Sequence, residues 1–140
     1  MHTPKIKTYS LKKQITAFEI YSLCKGLNSG KPLEKPCPNC FVIVCKNEIE
    51  KNFYNSLLFG LWKGKYFEQC LTGSVIPFLR IGDFRAIVNK QAAAVSKNEK
   101  AFLTDVTHIK RLEEKQKIIQ QQIQLIDDLK RAILQRHLKS

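Results

Sequence analysis

The chain has 140 residues, 44% of them hydrophobic, which is enough for one domain with a buried core and too few for two large ones. Lys and Arg number 24 against 12 acidic residues, giving a formal charge of +12. This composition excludes a chain that is disordered throughout, and its charge favours a polyanionic partner such as nucleic acid.

The N-terminus lacks the apolar stretch of a secretory signal, and no segment has the roughly 18 uncharged apolar residues that a membrane span needs. The five cysteines are an odd number, which suits reduced thiols better than a disulfide framework. We therefore expect a cytoplasmic protein with no membrane partner.

The first part of the chain predicts a strand, a helix and a loop. Residues 5–9 alternate lysine with isoleucine and threonine, as an exposed strand does. From Ile15 to Leu27 the apolar residues recur at near-helical spacing, so we predict a helix over residues 11–26. Glycine and proline mark residues 28–40 as a loop.

The middle of the chain predicts a buried strand followed by a helix. Residues 41–45 form a continuous apolar run, typical of a strand inside a sheet. Asn47 and Glu50 have the spacing of a capping box at the start of a helix over residues 47–63. We expect the aromatic side chains of this region in the core: Phe53, Tyr54, Phe59, Trp62, Tyr66 and Phe67.

A further strand is predicted over residues 75–81, at a sheet edge or with a bulge because Pro77 has no amide hydrogen. Asp83 is the predicted N-cap of a helix over residues 83–95. A helix between two strands favours a right-handed crossover, which makes strands 41–45 and 75–81 parallel if they are neighbours.

The last helix is predicted from about residue 99 to residue 138, where neither proline nor glycine occurs. Its apolar residues alternate at steps of three and four, as in a coiled coil, but Gln116 and Lys130 interrupt the seam. The helix folds back on its own domain, pairs with its copy in a homodimer, or binds another partner. The predicted partner interface is Ile109, Leu112, Ile119, Ile123, Ile126 and Ile133.

These elements predict an α+β fold, with a small sheet of about three strands covered by helices and followed by a long C-terminal helix. The predicted domains are an α+β core over residues 1–97 and the coiled-coil-like helix over residues 98–140.

Cys37 and Cys40 form a Cys-x-x-Cys pair at the entry to the strand at 41–45. Structural zinc usually needs a second pair, which the sequence lacks. A redox pair belongs at a helix N-terminus after a strand, and here a strand follows a loop. We therefore interpret these residues as structural thiols and predict no metal and no cofactor.

No phosphate-binding loop, nucleophile elbow or acid/base pair is present, so we predict a protein that is not an enzyme and has no small-molecule substrate. The predicted function is an accessory or regulatory protein that binds nucleic acid through a basic surface. The alternative is a protein–protein interaction module that dimerises or docks through its C-terminal helix. The predicted nucleic-acid-binding residues are Lys5, Lys7, Lys12, Lys13, Arg80 and Arg85.

The stretches FVIVCKNEIEKNFYNSLLFGLW and WKGKYFEQCLTGSVIPFLRIGDFRAIV, with the final helix rich in Lys and Gln, resemble an uncharacterised family of small proteins from Bacteroides-type bacteria. Its members often accompany mobile or conjugative elements. The resemblance covers most of the chain and implies no activity and no site residues. It implies a bacterial cytoplasmic setting and favours a DNA-related role.

Overall fold

The computed structural model describes residues 3–11 and 17–139. Within these residues it has four strands, three α-helices and one short 3-10 turn at Glu68–Cys70. The α+β fold class is confirmed. The strands are β1 Lys5–Thr8, β2 Glu19–Leu23, β3 Pro32–Leu33 and β4 Cys40–Val44, and the helices are α1 Glu48–Lys63, α2 Ile81–Ser96 and α3 Glu99–Gln135.

The chain divides into two compact units, Met1–Leu103 and Thr104–Ser140. The first unit holds the sheet, α1, α2 and the start of α3, and the second holds the rest of α3. The sequence-based boundary after residue 97 falls in the turn between α2 and α3, and remains a prediction. Among the described residues, none of the helices combines the length and the apolar character that a bilayer crossing demands.

All strand pairs in the sheet are antiparallel, and the strand order is β1-β4-β2-β3. The strand predicted at 41–45 is therefore confirmed as an interior one. Its Ile43 lies opposite Ile6 on one side and Ile20 on the other, and all three are buried. The predicted parallel crossover is wrong, because residues 75–81 form no strand of the sheet, and Phe78 pairs with Lys25, beyond the end of β2, only through an isolated antiparallel bridge.

The prediction of a helix over residues 11–26 is wrong in its described part, where the chain forms β2; residues 12–16 lie outside the described residues. Strand β2 is covered on both faces: Ile20 packs in the main core and Tyr21 in a second cluster on the other face. A strand buried on both faces loses the polar alternation that identifies a strand in a sequence. The apolar residues of this region therefore recurred at intervals close to those of a helix, and the sequence pattern was assigned to a helix.

The predicted strand at 75–81 is also wrong. Thr72 and Phe78 pair with each other across a closed loop, and the side chain of Val75 at its tip is 89% exposed. Helix α2 starts at Ile81 with Arg80 as its N-cap residue, so Asp83 is not the cap. Asp83 lies instead in the first turn, where a carboxylate complements the positive end of the helix dipole.

Helix α1 matches its prediction. The amide of Glu50 donates to Asn47 Oδ1 at 2.9 Å, and Glu50 Oε1 accepts from the amide of Lys46 at 3.2 Å, one residue before the expected partner. The apolar face of α1 then packs with α2 over the sheet, where Leu58 and Phe84 are fully buried.

Arg85 of α2 ties this helix to the edge strand β1. Its Nε and Nη2 donate to the carbonyl oxygen of Ile6 at 3.2 and 2.7 Å. A charged donor makes these bonds stronger than neutral ones.

Candidate functional site

The basic residues predicted to bind nucleic acid occupy separate parts of the first unit. Lys5 and Lys7 are on the face of β1 opposite the buried Ile6, with Lys5 exposed and Lys7 half-buried. Lys12 and Lys13 lie outside the described residues. Arg80 is exposed before α2, and Arg85 is engaged by the Ile6 carbonyl. The structure brings Arg85 to β1, but the binding role of all six residues remains a prediction.

A different basic cluster surrounds a surface cleft between the β2–β3 loop and the end of α1. This cavity, hereafter the Trp62 cleft, has a volume of about 300 Å³. Its walls are Leu27, Asn28, Ser29, Trp62, Lys63, Lys65, Phe67 and Glu68. Sequence reasoning placed Trp62 in the core and did not single out these lysines.

The loop that forms one wall is held in shape by two glycines. Gly26 and Gly30 have φ values of 93° and 96°, which side chains rarely adopt. The amide of Gly30 donates to the Leu23 carbonyl at 2.6 Å, and Ser29 Oγ donates to the Gly26 carbonyl at 2.7 Å. A Cβ on Gly30 would lie 2.1 Å from the ring of Phe67, which also lines the cleft. Glycine at this position therefore lets the loop approach that ring closely.

The opposite wall is the C-terminus of α1, which ends in a Schellman motif. The amide of Tyr66 donates to the Leu61 carbonyl at 3.0 Å, and the amide of Lys65 donates to the Trp62 carbonyl at 3.1 Å. Lys65 occupies the left-handed position with φ 61°, and it is the only non-glycine with positive φ in the described part of the chain. Glycine normally fills this position, yet the glycine here, Gly64, comes one residue earlier.

Two lysines lie over the indole ring of Trp62. Lys63 Nζ lies 4.3 Å from the centroid of the Trp62 ring, and Lys31 Nζ lies 5.4 Å from it. Both distances are within the range of cation–π attraction. With Lys65, three ammonium groups share this region with one carboxylate, that of Glu68. The cleft thus combines an aromatic ring with an excess of positive charge.

The Cys-x-x-Cys pair makes local contacts. The Cys37 amide donates to Cys40 Sγ at 3.4 Å, and Cys40 Sγ lies 3.0 Å from the Cys37 carbonyl oxygen. Burial raises the pKa of the Cys40 thiol to about 11 and that of Cys45 to about 12, so both favour the neutral thiol. No group of three or more His, Cys, Asp or Glu side chains suited to a metal ion occurs within residues 3–11 and 17–139.

The predicted partner interface lies along α3. Every large apolar side chain from residue 109 to residue 138 is exposed. The interface role of these residues remains a prediction, but their exposure leaves a long apolar stripe on the surface.

A family model described as "Family of unknown function (DUF6943)" matches residues 6–136. The chain belongs to this family. The predicted resemblance to an uncharacterised family is confirmed to that extent. The match to DUF6943 spans both the Trp62 cleft and the apolar stripe of α3. No curated protein matches the chain.

Proposed function

We propose that this protein is a non-enzymatic accessory protein that binds single-stranded nucleic acid at the Trp62 cleft. The observation that carries the proposal is the indole ring of Trp62 with two lysine ammonium groups over it. Proteins that bind single strands combine aromatic rings, on which bases stack, with cations that contact the phosphates. The net charge of +12 strengthens the attraction to such a strand.

The dimensions of the cleft favour one unstacked base over a duplex. About 300 Å³ is the lower end of the volume range of ligand pockets. Bases are accessible to an aromatic ring in single strands, whereas a duplex hides their faces. On binding, the ammonium groups of Lys31 and Lys63 exchange their contact with the indole ring for contact with phosphate.

The backbone of Lys65 supports a functional role for its side chain. A non-glycine residue in the left-handed region costs about 1 kcal/mol or more. The Lys65 side chain lines the cleft from this strained position and presents an ammonium group there. Lys5, Lys7 and Arg80 lie apart from the cleft and are further basic residues of the proposed binding surface, and the proposal includes Lys12, Lys13 and Arg85 as predicted from the sequence.

The proposed setting is the bacterial cytoplasm, in connection with mobile elements. The resemblance of the sequence to small Bacteroides-type proteins supports this setting. The raised pKa values of Cys40 and Cys45 favour structural roles for these thiols, in keeping with a protein that catalyses no reaction.

Trp62 is the only tryptophan of the chain, so its fluorescence reports on the cleft without a label. We expect titration with a short single-stranded oligonucleotide at low ionic strength to quench this fluorescence. Lys63→Gln and Lys65→Gln should each weaken binding and make the plot of log K against log salt less steep by about 0.7, the value for one lost phosphate contact. Lys90→Gln removes the same charge from an exposed position on α2 and is the matched control.

Lys65→Gly separates binding from folding. It removes the ammonium group and the unfavourable φ together, so it should raise the melting temperature while it weakens binding. The proposal fails if no quenching occurs at low salt, or if Lys63→Gln and Lys65→Gln bind as Lys90→Gln does. If only the Lys5→Gln and Lys7→Gln variants lose binding, the nucleic-acid site lies on β1 and not at the Trp62 cleft.

The second candidate function is interaction with a protein partner through α3. Its specific support is the stripe of exposed isoleucine and leucine side chains on this helix. Both functions can reside in one chain, because the cleft belongs to the first unit and the stripe to the second.

A further inference from the structure

The apolar stripe of α3 has the periodicity of a coiled-coil seam. Its positions alternate at steps of three and four over about 36 Å of helix, at 1.5 Å per residue. The isoleucine and leucine side chains at these positions are 41–59% exposed. The seam consists of Ile109, Leu112, Gln116, Ile119, Ile123, Ile126, Lys130 and Ile133.

We propose that this seam packs against α3 of a second copy of the chain, parallel and in register. Repetition of the same spacing on both helices lets each side chain of one copy fit between four of the other. The polar residues and the charges along the seam then distinguish the possible arrangements of the two helices.

The two polar seam residues favour the parallel arrangement. In a parallel pair in register, Gln116 faces Gln116 of the second copy, and the two amides can bond to each other. In the antiparallel alignment that overlaps the whole seam, Gln116 faces Ile126 and Lys130 faces Leu112. That alignment buries an amide and an ammonium group against hydrocarbon without a partner.

Lys130 meets its own copy in the parallel pair, but its charge is already offset. Its Nζ lies 3.4 Å from Asp127 Oδ1 one turn earlier on the same helix. Polar residues at seam positions can specify the register of a coiled coil. The ion pair reduces the repulsion between the two copies of Lys130 in the parallel pair.

The charges beside the seam agree with this orientation. A parallel pair places His108 beside Glu113 of the second copy and Gln122 beside Asp127 of the second copy, so no two like charges meet there. The antiparallel alignment places Glu113 beside Asp127 of the second copy twice, and both contacts fall on the same side of the pair. Adjacent like charges make that alignment less favourable.

Self-association is tested first by the mass of the full chain in solution, measured by sedimentation. We expect the mass of a dimer, in which the seam of each copy is covered by the seam of the other. Ile123→Asp places a charge in the seam and should weaken association at least about 100-fold. Gln121→Asp adds the same charge on the opposite side of the helix and should leave the mass unchanged.

Orientation is tested by oxidative cross-linking of Gln116→Cys, with the wild-type chain as the background for the native thiols. In the parallel pair the two new thiols face each other and should form a disulfide, whereas in the antiparallel pair they are about 15 Å apart along the axis. In a mixture of Gln116→Cys and Ile126→Cys chains, a disulfide between the two different variants should form only in the antiparallel pair. A monomeric wild-type chain, an undiminished mass of Ile123→Asp, or cross-linking only in the mixture would overturn the proposal.

Discussion

Substitution of Gly30 by alanine should destabilise the protein more than the same substitution at Gly26 or Gly82. The φ of 96° by itself costs about 1 kcal/mol for a residue with a side chain. The new Cβ would also lie 2.1 Å from Phe67 Cδ2, so a ring that is 1% exposed must move. That ring stacks on Phe84 with centroids 5.5 Å apart, and such a pair contributes about 1 kcal/mol beyond its burial.

The sum of backbone strain, lost stacking and looser packing is about 3 kcal/mol for Gly30→Ala. Gly26→Ala isolates the strain, because φ is 93° there but no atom lies within 4 Å of the added Cβ. We expect about 1 kcal/mol for this variant. Gly82→Ala lies in the first turn of α2 with open space around it and should stabilise by up to about 0.5 kcal/mol.

Urea unfolding followed by circular dichroism at 222 nm, a standard helix wavelength, gives the free energy of unfolding of each variant. The expected order of stability is Gly82→Ala, wild type, Gly26→Ala and Gly30→Ala. If Gly30→Ala is within about 0.5 kcal/mol of Gly26→Ala, the close approach of Gly30 to Phe67 is refuted, because the two sites share the same strain. The fluorescence of Trp62 in the folded variants then shows whether the cleft has changed.

Three further outcomes are expected from unfolding measurements. Ser22→Ala should stabilise by about 1 kcal/mol, because Ser22 Oγ is buried without a hydrogen-bond partner within the described residues; a loss of stability would reveal a partner. Asn47→Ala should destabilise by about 1 kcal/mol through loss of the cap on the Glu50 amide, and Asn47→Asp, which keeps the acceptor, should not. Burial raises the pKa of Cys45 from 9.0 to about 12, so above pH 9 the unfolded chain ionises first and the free energy of unfolding falls toward pH 12. Cys45→Ala should make that fall shallower between pH 9 and pH 12, and an unchanged fall would place its cause in other groups.

Local signals in the sequence were sufficient for α1, α3 and β4. The cap at Asn47 is formed by residues three apart in the chain, and β4 is an apolar run of the length of one strand. Strand β2 was missed because its identity depends on tertiary packing: its two faces are covered by residues distant in the sequence, with Ile20 in the main core and Tyr21 in the second cluster. The loop at 72–78 was misread because Val75 and Ile76 are exposed, and an apolar run does not say whether it is buried.

The Trp62 cleft could not be derived from the sequence, because it joins a loop near residue 28 to a helix end near residue 63. The helical spacing of Trp62 matched that of Leu58, which is fully buried, although Trp62 is only half-buried. One signal was present in the sequence: Lys63 and Lys65 flank Gly64 directly after Trp62, at the end of the predicted helix. The expectation that Tyr66 belongs to the core was wrong, since its side chain is 47% exposed.

Both outer strands of the sheet are closed to further strand addition. At β1 the guanidinium group of Arg85 already occupies the Ile6 carbonyl, which an incoming strand would need as an acceptor. At the other side β3 has only two residues, and Pro32 offers no amide hydrogen. Protection at both borders guards the fold against growth into cross-β aggregates, even in a chain with so much apolar surface on its last helix.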